Sequence, residues 1–76
     1  MPLLRVQVDS DKQTARRILE LYKSGRGHHE SRLAALDEVR RRGRLPAGEP
    51  IFVGITNGEP ARLIYDVEVD LDTDAG

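Results

Sequence analysis

From Ala61 to Leu71 every second residue is apolar, in the order Ala61, Leu63, Tyr65, Val67, Val69, Leu71, with Arg62, Ile64, Asp66, Glu68 and Asp70 between them. That is the period of an extended strand with one buried face. It commits the chain to a sheet, one side of which has to be covered. Ile51, Val53 and Ile55 precede the run, alternating with Phe52 and Gly54. Asn57-Gly58 lies between the two segments and suits a hairpin turn, because glycine accepts positive φ without steric cost. A two-residue loop would set Val53 opposite Arg62. A three-residue loop, Asn57-Gly58-Glu59, sets Ile55 opposite Ala61, Val53 opposite Leu63 and Ile51 opposite Tyr65. The second register gathers the apolar residues on one face and is the expected one, since a one-residue slip would undo it. Pro60 has no N–H for a ladder and belongs at a strand end.

The cover comes from the middle of the chain. Ala15, Ile18, Leu19 and Tyr22 recur at helical spacing, with Leu21 widening the stripe. Asp9-Ser10-Asp11 offers side-chain acceptors for the free N–H groups of a helix start, and Gly25 can take a left-handed cap. These signals predict a helix over 11–24. A second helix is expected from His29 to Arg42, with Leu33, Leu36 and Val39 inward and Ala35 flanking, ended by Gly43 and Pro46. Before both helices, Leu4, Val6 and Val8 alternate with Leu3, Arg5, Gln7 and Asp9, another half-buried strand. The predicted fold is therefore α+β, in the order β-α-α-β-β: two helices on a small antiparallel sheet with a C-terminal hairpin. The first strand either joins that sheet or pairs with a second chain. Residues 1–71 are expected to form one domain, and the acidic segment 72–76 a disordered tail.

At 76 residues a chain buries only about 60–65% of the surface it exposes when unfolded, so an isolated monomer is marginal. It has no cysteine, which removes disulfides and thiolate metal sites and leaves oligomerisation as the compensation. A homodimer is the expected state. No apolar run reaches the roughly 18–20 residues of a membrane span, and Met1–Val8 has no signal-like apolar core. No membrane association and a cytoplasmic location are expected. The net charge is −1, but residues 1–46 carry eleven Lys/Arg against six acids, whereas residues 47–76 carry one against seven. Such a split points to a surface that recognises a charged partner.

The strand, helix, tight glycine-containing loop and second helix of residues 3–43, with Ser24-Gly25-Arg26-Gly27-His28-His29-Glu30-Ser31-Arg32-Leu33-Ala34-Ala35-Leu36 as turn and second helix, resemble the ribbon-helix-helix regulators, especially their antitoxin branch. The resemblance implies a dimer whose first strands pair into a ribbon that enters the DNA major groove. Arg5 and Gln7 would then read bases, and backbone N–H groups near His28 and His29 would hold a phosphate.

Independently of that resemblance, Arg40, Arg41, Arg42 and Arg44 form the densest positive run and are candidate phosphate contacts. A helix C-terminus carrying favourable charge explains the same run. Asp66, Glu68 and Asp70 are the candidate acidic face for a protein partner, or simply a solvated strand face. His28-His29-Glu30 lacks a third ligand at a productive spacing for a metal, so neither metal nor cofactor is expected. No nucleophile elbow or phosphate-binding glycine loop is present, and the chain is not expected to be an enzyme. A DNA-binding regulator and a non-catalytic protein–protein interaction module are the two functional expectations.

Overall fold

The computed structural model describes residues 2–70. The elements follow in the order β1 (Leu3–Ser10), α1 (Lys12–Lys23), α2 (His29–Arg41), β2 (Ile51–Thr56) and β3 (Ala61–Glu68). The expected β-α-α-β-β arrangement is the one observed. β3 lies at the centre of a three-stranded antiparallel sheet, in the order β1-β3-β2. The open question about the first strand is settled by register: Leu4 faces Val67, Val6 faces Tyr65 and Val8 faces Leu63, all within one chain. The predicted tail, 72–76, lies outside the described residues.

Both helices start and stop as the sequence dictates. The Asp11 carboxylate accepts the Thr14 backbone N–H at 2.7 Å and the Thr14 hydroxyl at 3.0 Å, filling one of the orphan donors of α1. At the other end Gly25 (φ 79°) donates to Tyr22 and Arg26 donates to Leu21. α2 ends on the same motif, with Gly43 (φ 75°) donating to Arg40 and Arg44 to Val39. Only glycine enters the left-handed region without strain, so these two positions end both helices.

α1 covers β2 and β3, and α2 covers β1 and β3. The core consists of Val6, Ala15, Ile18, Ala35, Val39, Ala61, Leu63, Tyr65, Val67 and Val69, with Leu4, Val8, Leu36, Phe52 and Ile55 against it. The α2 face differs from expectation. Leu33 is 48% exposed, and the buried stripe is Ser31, Ala35 and Val39. Two small residues at i and i+4 let the helix approach the sheet closely. Ser31 is tolerated inside because its hydroxyl bonds to both the Tyr65 hydroxyl and the His28 carbonyl. Tyr22, expected inward, is 53% exposed and only tilts against Phe52.

The hairpin register also differs. Thr56 faces Arg62 and Ile55 faces Leu63, so five residues, 57–61, separate the last β2–β3 pair where three are expected, and Ala61 among them already pairs with Ser10 of β1. The Thr56 hydroxyl oxygen accepts the Arg62 backbone N–H at 3.1 Å, and Pro60 offers no N–H to continue the ladder inward. A bulge at Val53 then shifts the pairing, so that Phe52 faces Tyr65. This turns Phe52 into the core, its ring centroid 5.0 Å from Tyr22 and 5.5 Å from Tyr65, and turns Ile51 and Val53 outward at 53% and 45% exposure. An aromatic ring buries more apolar area than either aliphatic side chain, which favours the bulged arrangement.

Candidate functional site

With both helices on one face of the sheet, the other face is open. It shows Arg5, Gln7 and Asp9 from β1 beside Arg62, Ile64 and Asp66 from β3. The charges are paired along the strand ladder. Arg5 binds Asp66 through two contacts, at 2.8 and 3.1 Å. Arg62 lies 3.3 Å from the Asp9 carboxylate and donates to the Gln7 side-chain oxygen at 3.1 Å. The hydrogen bond from Arg5 holds the Asp66 carboxyl below the usual carboxylate range, and the same contact raises Arg5. Asp11 is likewise lowered, mainly by the Thr14 N–H it accepts.

The edge of β1 away from β3 has no strand beside it among the described residues. In an antiparallel strand the N–H and C=O of one residue point to the same side, and successive residues alternate. The Pro2 carbonyl accepts from Val69, on the β3 side, and the Arg5 carbonyl accepts from Arg42, on the other. Leu3, Arg5, Gln7 and Asp9 therefore turn both backbone groups to the free edge. The Arg42 contact is 3.5 Å long, at the limit of a hydrogen bond. Alongside the edge runs a groove of about 490 Å³ between β1 and α2, walled by Asp9, Ala34, Asp37, Glu38, Arg41 and Arg42.

The structure thus brings together some of the residues singled out in the sequence and separates others. Arg5, Gln7, Arg41 and Arg42 converge on the β1 edge. Arg40 does not line the groove, but its Nη1 lies 3.4 Å from Asp37, which does. Arg44 sits in the connector after α2, half-buried, with its Nε buried and without a hydrogen-bond partner. His28 caps α2, its Nδ1 accepting the Ser31 N–H at 3.2 Å, so this helix start is already served by a side chain. Among the acids, Asp66 is engaged by Arg5, Glu68 lies against Gly48, and the Asp70 backbone N–H donates to Leu45. Asp37 and Glu38, which share the groove with Arg41, were legible only as the polar side of α2.

The charge split of the chain has become a split between layers. Residues 11–44, which hold both helices, carry ten Lys/Arg against five acids, while the three strands carry Arg5 and Arg62 against Asp9, Asp66 and Glu68. Among the described residues no helix is long and apolar enough to cross a membrane, and no three His, Cys, Asp or Glu side chains are grouped to hold a metal. Compared with family models, characterised proteins and solved structures, the chain finds no match in any of the three.

Proposed function

We propose that this chain is a non-catalytic protein–protein interaction module that takes up an extended segment along the free edge of β1. One observation carries the reading. The edge offers the backbone groups of Leu3, Arg5, Gln7 and Asp9 beside a groove of mixed charge, the arrangement used when a strand is added to a sheet. Backbone hydrogen bonds would supply affinity, and Asp37, Glu38, Arg41 and Arg42 would select the side chains of the incoming strand.

A DNA-binding regulator is the second reading, favoured by the excess positive charge of the helical layer and the ribbon-helix-helix resemblance. It would use Arg40, Arg41 and Arg42 on phosphates, with Arg5 and Gln7 on bases. The pairing of Arg5 with Asp66 and of Gln7 with Arg62 works against the base-reading part, because both side chains would have to leave their partners.

One pair of measurements separates the two. In the first, amide hydrogen exchange is followed at Arg5, Gln7 and Asp9 with cell extract added at low salt. Slower exchange of those three amides than in the highly dilute chain is expected, brought about either by concentrating the chain or by a protein fraction, and protection by neither defeats the strand-addition reading. In the second, a labelled random-sequence duplex is titrated. Binding that falls steeply with salt and is weakened in Arg40→Ala and Arg42→Ala would establish the DNA reading instead.

A further inference from the structure

We propose that the occupant of the β1 edge is β1 of a second copy of this chain, running antiparallel across a two-fold axis at Gln7 and joining two three-stranded sheets into one of six strands. The inference rests on the strand-addition reading above and names its partner. It follows from which residues β1 places at its free edge and how their charges are ordered.

Because the odd-numbered residues carry the outward backbone groups, an antiparallel self-pairing must set odd residues opposite odd ones. That leaves few registers. With the axis at Arg5, two guanidinium groups face each other. With the axis at Val6, Asp9 faces an apolar Leu3, and with the axis at Val8, Asp9 faces Gln7. With the axis at Gln7, Arg5 faces Asp9 of the partner subunit, and the same pair recurs on the other side of the axis. Gln7 then meets the partner's Gln7; its oxygen accepts from Arg62 and keeps a second lone pair, and its amide N–H groups can donate, so the two carboxamides can bond reciprocally without displacing Arg62. Beneath the sheet, Val6 meets the partner's Val8.

This register also extends the charge order already present inside each sheet. Asp66 and Arg5 are paired in one copy, and Asp9 and Arg62 are close in the other. Across the joint the row reads Asp66, Arg5, the partner's Asp9, the partner's Arg62, with the sign alternating at every step. Opposite charges directly across a ladder favour a register, and like charges disfavour it. The backbone adds about six hydrogen bonds, two for each of the three outward-facing pairs. Among the described residues, the competitor for these bonds is the long contact from Arg42 to the Arg5 carbonyl. The axis stands perpendicular to the sheet, so both helical layers remain on one side. A marginal 76-residue domain gains the association that its lack of cysteine leaves as its support.

The test uses the full chain in sedimentation equilibrium, with circular dichroism confirming the fold of each variant. The wild type is expected at twice 8.5 kDa. Gln7→Pro removes an outward N–H and no bond to β3, and should reduce the protein to a monomer. Gln7→Lys and Gln7→Glu set like charges on the axis, so each alone should dissociate at several-fold higher concentration than wild type. Mixed one to one, the two should reassociate, a rescue that only a two-fold axis at residue 7 produces. A wild type that stays monomeric, or a dimer unaffected by Gln7→Pro, overturns the proposal. So does a lack of rescue on mixing. Failure of the broader reading looks different: the Arg5, Gln7 and Asp9 amides would then stay unprotected with every protein added, not only with a second copy.

Discussion

The two edges of this sheet are built differently, although both are strands of one antiparallel layer against the same central β3. β1 has eight residues paired without interruption from Leu3 to Ser10. β2 has six, is broken by the bulge at Val53, and is entered through a connector containing Pro46 and Pro50. Bulges and prolines are how proteins keep sheet edges from pairing with other chains. A proline stands directly before each strand, Pro2 before β1 and Pro50 before β2, so the device that separates the two edges is the bulge, which β2 carries and β1 lacks. The charged residues of β1 do not guard its edge, because Arg5 and Asp9 are directed across the open face to Asp66 and Arg62. One edge interrupted and the other regular is the contrast expected if the second edge pairs as proposed.

The largest perturbation removes the strand on which both edges depend. Leu63 faces Val8 on one side and Ile55 on the other, and it is fully buried. Leu63→Ala should cost about 2–5 kcal/mol through lost burial and the cavity left behind. In so small a domain that is a large part of the total stability. Urea unfolding should show β1 and β2 lost together in one transition. Separate transitions for the two would mean that the edges belong to independent units.

A deletion of Val53 sharpens the contrast more selectively. Gly54 faces Ile64 and Phe52 faces Tyr65, and these β3 partners are adjacent, so Val53 is the one extra residue. Without it the ladder becomes continuous and Phe52 keeps its place on Tyr65. The variant should fold with two regular edges and grow beyond a dimer into open chains, because two different pairing surfaces need not close. Sedimentation velocity reads the result directly. A variant that remains no larger than wild type would show that the bulge is not what blunts β2.

Much of this contrast was readable in the sequence, and the parts that were not have definite causes. Alternation at Leu4, Val6, Val8 and from Ala61 onward located two strands, because period-two burial leaves a local trace. Gly25 and Gly43 marked both helix ends for the same reason. The bulge left no trace, since Ile51-Phe52-Val53 is apolar throughout and either parity buries something. What decided it was the aromatic cluster of Tyr22, Phe52 and Tyr65, which comes from three different elements. Ser31 carries no local sign of burial, because the partner that satisfies it, Tyr65, lies far along the chain. The β1 edge itself was visible only as a choice between two partners. A strand records which face it buries, but not which neighbour it pairs with.

The smallest expected effect distinguishes how each edge is tied to β3. Asp66 faces Arg5 on the β1 side and Ile51 on the β2 side, so only β1 is held by an ion pair at this level. The folded chain keeps the Asp66 carboxyl below its ordinary range because it accepts from Arg5. The unfolded chain has the ordinary value, near 3.9 for an aspartate. Between the two values the unfolded state binds more protons, so stability there rises with pH. The contribution is complete above about pH 5 and is lost as the pH falls through the folded value. Arg5 is largely solvated, with its side chain 62% exposed, so the pair is worth little by itself. Acidification from neutrality towards pH 3 should therefore speed the intrinsic-rate-corrected exchange of the Val6 and Val8 amides by a few-fold more than that of amides in β2. Asp66→Asn should remove this difference between the strands and leave the remaining acid sensitivity, including that of the Asp11 cap, in place. Equal acceleration of both strands in wild type would show that the ion pair does not hold β1 more than the ladder already does.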